Sequence, residues 1–131
     1  MSTRETFERE IESLHDFFVG WYAGTLDQDA IGRLETALGS EFQMVTPDGT
    51  RHDRAAVIAG IREGYDRDEP EVFDIDIRNV ELIERFDEHA LVRYEEWQTT
   101  TDETTGRIST VLFGETADSL VWIDLHETMI E

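Results

Sequence analysis

From Phe7 onward, apolar residues recur at steps of three and four: Phe7, Ile11, Leu14, Phe18 and Trp21, with Phe17 and Tyr22 widening the stripe. That spacing predicts an amphipathic helix over residues 4–24, stopped at Gly24. Asp27 is placed to cap a second, shorter helix whose stripe is Ile31, Leu34, Ala37 and Leu38, with Gly39 as its stop. A short strand in "EFQMVTPDG" follows and closes on a Pro-Asp-Gly turn. Asp53 then caps a third helix, "RAAVIAGIREGYD", striped by Val57, Ile58, Ile61 and Tyr65. From residue 72 the period changes to two, which predicts four strands at about 72–84, 89–100, 106–115 and 119–130. The separating turns "FDEH", "TDETTG" and "ETADS" predict a meander of antiparallel hairpins.

The first of these strands changes parity partway. Phe73, Ile75 and Ile77 occupy odd positions, Val80 and Leu82 even ones. A bulge at Arg78-Asn79 would return them to one face and bend the strand. Three helices with one strand among them, then a meander, predict an α+β fold: helices on one face of a bent antiparallel sheet. The length, 131 residues, and the lack of repeats or linkers predict one domain, residues 1–131. Both faces of the late strands carry apolar residues, Ile108 and Leu112 on one, Val111 and Phe113 on the other. Three short helices cannot cover both, so a homodimer through the outer sheet face is expected.

Composition changes this picture at one point, the charge. There are 31 Asp plus Glu against 11 basic residues, all Arg, for a net charge of −20. A 15.1 kDa globule exposes on the order of 7,000 Å², about 350 Å² per net charge. Such self-repulsion weakens the compact state at low salt and fades near molar salt, where the Debye length is about 3 Å. The acids are scattered and Lys is absent, a pattern that looks haloarchaeal and reads as solvent adaptation; an acidic surface for a basic partner is the alternative. Nucleic acid is disfavoured, because its affinity starts from phosphate neutralisation by Lys and Arg. There is no Cys for disulfide or thiolate chemistry. No stretch reaches the roughly 18 apolar residues of a membrane span, and the charged start "MSTRETFEREIESL" is no signal peptide. A cytoplasmic protein with no membrane partner is expected.

The stretches "FFVGWYAGTLD", "FQMVTPDGTRHDRAAVIAGI", "VRYEEWQ" and "VWIDLHET" carry a resemblance over nearly the whole chain. In order and motif the sequence resembles the nuclear transport factor two (NTF2)-like superfamily, with ketosteroid isomerase and the SnoaL-like polyketide cyclases, and within it an uncharacterised SnoaL-like subgroup. The resemblance implies a cone-shaped, cystatin-like fold. It also implies a cavity between the concave sheet face and the first and third helices. Family members include enzymes and non-catalytic modules, so the fold leaves function open. The catalytic Asp positions of the isomerase have no counterpart here residue by residue.

The closing strand holds the best candidates. Read with strict alternation, Leu120, Trp122, Asp124, His126, Thr128 and Ile130 share one face, and Val121, Ile123, Leu125 and Met129 share the other with Glu127. The resemblance implies that the Trp122, Asp124, His126, Thr128 face lines the cavity, leaving Glu127 near the partner subunit. His126 then suits general acid–base work, oriented by Asp124 and Thr128; a cavity-wall or exposed histidine is the plainer reading. Tyr94 and Glu96 alternate onto one face, where a hydroxyl donor beside a desolvated carboxyl could form an oxyanion-type pair. Arg107, beside Ser109, has two readings, a partner for Glu96 or a ligand carboxylate and a plain cross-strand ion pair. Phe18, Trp21, Tyr22 and Tyr65 are candidate walls. His15, His52 and His89 form no H-x-H or H-E-x-x-H spacing, so neither metal nor cofactor is expected. The favoured reading is a protein whose cavity binds an unknown small molecule. The alternatives are a cyclase- or isomerase-type enzyme using His126 or Glu96 with Tyr94, and a non-catalytic dimeric scaffold.

Overall fold

The structure, a computed structural model, describes residues 3–66, 73–100, 103–116 and 119–130. Helix α1 (Arg4–Ala23) opens with a reciprocal cap between Thr3 and Thr6 and ends at Gly24, whose φ of 73° is left-handed. A side chain at Gly24 would run into Asp66. The buried stripe of α1 is Phe7, Ile11, Leu14, His15, Phe17 and Trp21.

Asp27 caps as expected, but what it opens is one 3-10 turn, Gln28–Ala30, which runs into α2 (Ile31–Ala37). Leu38 and Gly39 do not finish that helix; they begin strand β1 (Leu38–Val45). A Cβ on Gly39 would approach the Trp122 carbonyl to 3.3 Å, so this glycine allows two strands to come close and is no helix stop. Strand β2 (Arg51–Asp53) returns antiparallel to β1, and Asp53 caps α3 (Arg54–Glu63) by accepting the Ala56 N–H at 2.8 Å. The expected stretch to Asp66 is cut short at Gly64.

Strands β3 (Phe73–Phe86), β4 (His89–Thr100), β5 (Thr104–Glu115) and β6 (Leu120–Met129) form the meander. Residue 72 and parts of the turns at 101–106 and 115–119 lie outside the described residues. The six strands form one sheet ordered β2-β1-β6-β5-β4-β3. It is antiparallel except where β1 runs parallel to β6, so the sheet is mixed. In β3, Arg78 pairs with Glu95 and Glu81 with Arg93, three residues against two. Asn79 takes a φ of 56° there, and Ile77, Val80 and Leu82 all reach the core, as their change of parity foretold.

The inner face has two halves. Ala90, Val92, Val111, Phe113 and Trp122 are at most 1% exposed and pack under Phe7 and Ile11 of α1. Phe7 stacks on Phe113 with ring centroids 5.3 Å apart. Each of the larger aliphatic and phenyl side chains contributes about 1.5–3 kcal/mol on burial, and together they form the apolar half of the core. Toward the other end the same face becomes polar: Tyr94 and Glu96 on β4, Ser109 on β5 and Glu127 on β6 are all buried.

Candidate functional site

Strand β6 decides what the site contains. Phe113 pairs with Trp122, but Leu112 pairs with Asp124. Ile123 is therefore an extra residue on β6, and parity inverts across it. Trp122, Leu125 and Glu127 are buried on the inner face, whereas Asp124, His126 and Thr128 are exposed on the outer one. The expected inward row of Trp122, Asp124, His126 and Thr128 thus survives only at Trp122. Asp124, His126 and Thr128 sit with Leu91, Ile108, Thr110 and Leu112 in a shallow hollow of the outer face. Glu127, placed by strict alternation near the partner subunit, is 4% exposed inside the fold.

A cavity of about 170 Å³ lies between the sheet and the helices. Leu14, His15, Phe18 and Tyr22 of α1 roof it, with Leu34 of α2 and Val57 and Ile61 of α3. Leu38, Phe42 and Met44 of β1, Ile75 of β3, and Trp122 and Leu125 of β6 complete the apolar wall. Its polar residues are His15, Glu96, Gln98, Arg107 and Glu127.

These polar residues form two sets of hydrogen bonds, side by side on neighbouring strands. Glu96 and Arg107 are directly opposite on β4 and β5, and Ser109 is opposite Glu127 on β5 and β6. His15 lies one helical turn after Ile11, and its Nδ1–H donates to the Ile11 carbonyl at 2.7 Å. Its Nε2 faces Glu96 Oε1 at 3.0 Å. Because Nδ1 must carry a proton to meet a carbonyl, Nε2 and Oε1 must share a second proton: imidazolium with carboxylate, or imidazole with carboxylic acid. Gln98 Nε2 donates to the other oxygen, Glu96 Oε2, at 2.6 Å. Arg107 Nη1 donates to Glu127 Oε1 at 3.0 Å, and Ser109 Oγ to Glu127 Oε2 at 3.1 Å.

Burial and charge pull these groups apart in pKa. Desolvation opposes a charged His15, but the hydrogen bond and charge of Glu96 outweigh it and raise the imidazole above 6.5. Desolvation likewise works against the Glu96 carboxylate, and its bond and charge contact with His15 overcome it and lower its pKa. Both shifts favour imidazolium with carboxylate over imidazole with carboxylic acid. Glu127 goes the other way: burial, then the charge of Glu96, raise its carboxyl despite Arg107. Burial holds the Tyr94 hydroxyl well above its ordinary value, and the two glutamates add to this. That hydroxyl has no hydrogen-bond partner among the described residues, its neighbour Ser109 donating to Glu127 instead.

The other sequence candidates divide cleanly. Phe18, Tyr22, Glu96, Arg107 and Trp122 line the cavity. Trp21 and Tyr65 do not; they pack edge to face at 4.7 Å, and Trp21 Nε1–H ties α1 to α3 through the Ile61 carbonyl at 2.6 Å. Tyr94 and Ser109 lie behind the lining, under His15 and Glu127 respectively. Sequence reasoning passed over His15, Gln98 and Glu127. His15 was findable, since the spacing Phe7, Ile11, His15, Phe18, Tyr22 puts an imidazole in the middle of an apolar stripe.

No family model matches the sequence, and no curated protein matches it. Solved structures do. An NTF2-like protein of unknown function from Pseudomonas aeruginosa superimposes with a TM-score of 0.88 at 28% identity, over 95% of this chain and 98% of that one. The CaMKII hub of S. rosetta gives 0.72 at 14% identity, over 99% and 98%. The β subunit of a benzoate 1,2-dioxygenase from Burkholderia mallei gives 0.74 at 11% identity, over 99% and 93%. Among the described residues no helix is long and apolar enough to cross a membrane. Three helices on a bent six-stranded sheet, matched end to end by these neighbours, make this an NTF2-like, cystatin-like α+β fold.

Proposed function

We propose that this chain is a small-molecule-binding protein of the SnoaL-like type, with the cavity under α1 as its site. One observation carries the reading: an apolar chamber of about 170 Å³ ends in a convergent set of polar groups, the buried His15, Glu96 and Glu127 with the half-buried Gln98 and Arg107. Few, fixed polar groups in an apolar pocket are what orients a small ligand. A scaffold would tolerate filling that chamber with side chains. The test is a thermal-shift panel of compounds from benzene to naphthalene in size, run on the native chain and on Val57→Phe, which fills the cavity. A subset of compounds should raise the melting temperature of the native chain and leave Val57→Phe unmoved. Equal responses in the two proteins would place binding elsewhere and overturn the reading.

A second reading, acid–base turnover in the same cavity, rests on the proton between His15 Nε2 and Glu96 Oε1. In that scheme Glu96 moves a proton next to a substrate carbonyl and His15 sets its basicity. It replaces the scheme built on His126, which faces away from the cavity.

The homodimer remains part of this proposal. Ile108, on the outer face, is 41% exposed beside Leu91 and Leu112, and no helix covers that face among the described residues. A second copy would bury it. Sedimentation equilibrium should give the dimer mass for the native chain and the monomer mass for Ile108→Arg; a native monomer at tens of micromolar would refute the dimer.

A further inference from the structure

The polar end of the cavity has its hydrogen-bonding capacity unevenly spent. Glu96 receives His15 on one oxygen and Gln98 on the other. Glu127 receives Arg107 on one oxygen and Ser109 on the other. All four carboxylate oxygens are engaged. Arg107 is different: it lines the cavity with its side chain 21% exposed, and only its Nη1 is used. Its other N–H groups have no hydrogen-bond partner among the described residues. The unspent donors of the cavity are thus those of the Arg107 cation, set against walls such as Phe42, Val57, Ile61 and Leu125.

Size narrows the ligand further. An apolar cavity of about 150 Å³ accepts benzene, so this one, at about 170 Å³, holds one ring or a short branched chain with one small polar group. From the free face of Arg107 and this apolar volume we infer that the ligand is a small monocarboxylate, of about the size of benzoate, held by its carboxylate on the Arg107 guanidinium. A planar guanidinium matches a carboxylate with paired N–H donors. An amine would meet Arg107 as a like charge, and the Glu96 and Glu127 carboxyls are already partnered by His15 and Arg107. A neutral alcohol would use one donor and leave the charge unanswered. The inference rests on the binding reading above and adds the ligand's class.

The test compares three probes of one shape and different charge, benzoate, benzyl alcohol and benzamidine, by calorimetry on the native chain. The double variant Arg107→Gln, Glu127→Gln serves as control, because it removes the guanidinium without stranding a buried carboxylate. Benzoate should bind the native chain about tenfold or more tighter than either other probe, the worth of a charge-assisted contact. The double variant should bind benzoate and benzyl alcohol alike. Benzyl alcohol or benzamidine binding the native chain as tightly as benzoate would overturn the carboxylate inference while leaving the cavity reading standing. A benzoate preference that survives in the double variant would do the same. If none of the three binds, both fall. Should the double variant not fold, the three native affinities still decide.

Discussion

His15 and Glu96 hold the sign of this protein's pH response. A histidine with a raised folded pKa contributes stability that is complete below its unfolded value of 6.5 and is lost as pH rises through the folded value. Glu127, also raised, acts in the same direction from 4.5 upward. Glu96, lowered, contributes stability above 4.5 that is lost as pH falls through its folded value. Urea midpoints should therefore fall between about pH 6 and pH 9, and the fall should flatten in His15→Gln. Midpoints that climb over that interval would contradict the buried ion pair. Tyr94 makes a second prediction at this scale. Its hydroxyl is buried without a hydrogen bond among the described residues, and leaving such a group unpaired costs about 1–3 kcal/mol. Tyr94→Phe should thus stabilise the fold by up to about that much, measured as a rise in urea midpoint. A loss of stability would show that the hydroxyl has a partner.

At the level of the elements, one extra residue in β6 determines which side chains can do chemistry. If strict alternation held, Phe113 opposite Trp122 would leave Leu112 opposite Ile123. Instead Leu112 meets Asp124. Cross-strand NOEs should link Leu112 with Asp124 and skip Ile123; a Leu112–Ile123 pairing would put His126 back inside. The two bulged strands show what a sequence reveals. In β3 the apolar residues themselves change parity, at Ile77 and Val80, so the bulge is legible. In β6, Val121, Ile123 and Leu125 are all apolar, and their alternation hides the slip behind a plausible pattern. The same contrast holds elsewhere. Helix stripes, the Asp53 cap and the α+β order could be read from periodicity, whereas the parallel β1–β6 pairing depends on contacts about 80 residues apart in the chain. Glu96 and Arg107 were found because hairpin register is local; Glu127 needed the bulge.

For the whole molecule, surface and interior use charge in opposite ways. Inside, Glu96 and Glu127 are each matched, to His15 and Arg107. Outside, pairs such as Arg4–Glu8 and Arg62–Glu35 form, but acids far outnumber Arg and the chain keeps a net charge of −20. Raising KCl from about 0.1 to 2 M shortens the Debye length from about 10 Å to below 3 Å, so the melting temperature should climb steadily over that range. A flat or falling response would remove the case for a salt-adapted surface. Above all, binding requires that the fold enclose a chamber open to small apolar guests. A xenon titration followed by methyl NMR probes this without an intermediary, since xenon enters dry apolar cavities and reads volume without regard to polar chemistry. Saturable shifts confined to Met44, Val57, Ile61 and Leu125, which share that wall, are expected. Shifts that stay small, linear and spread over the surface would mean the chamber is closed, and the binding reading would fall with it.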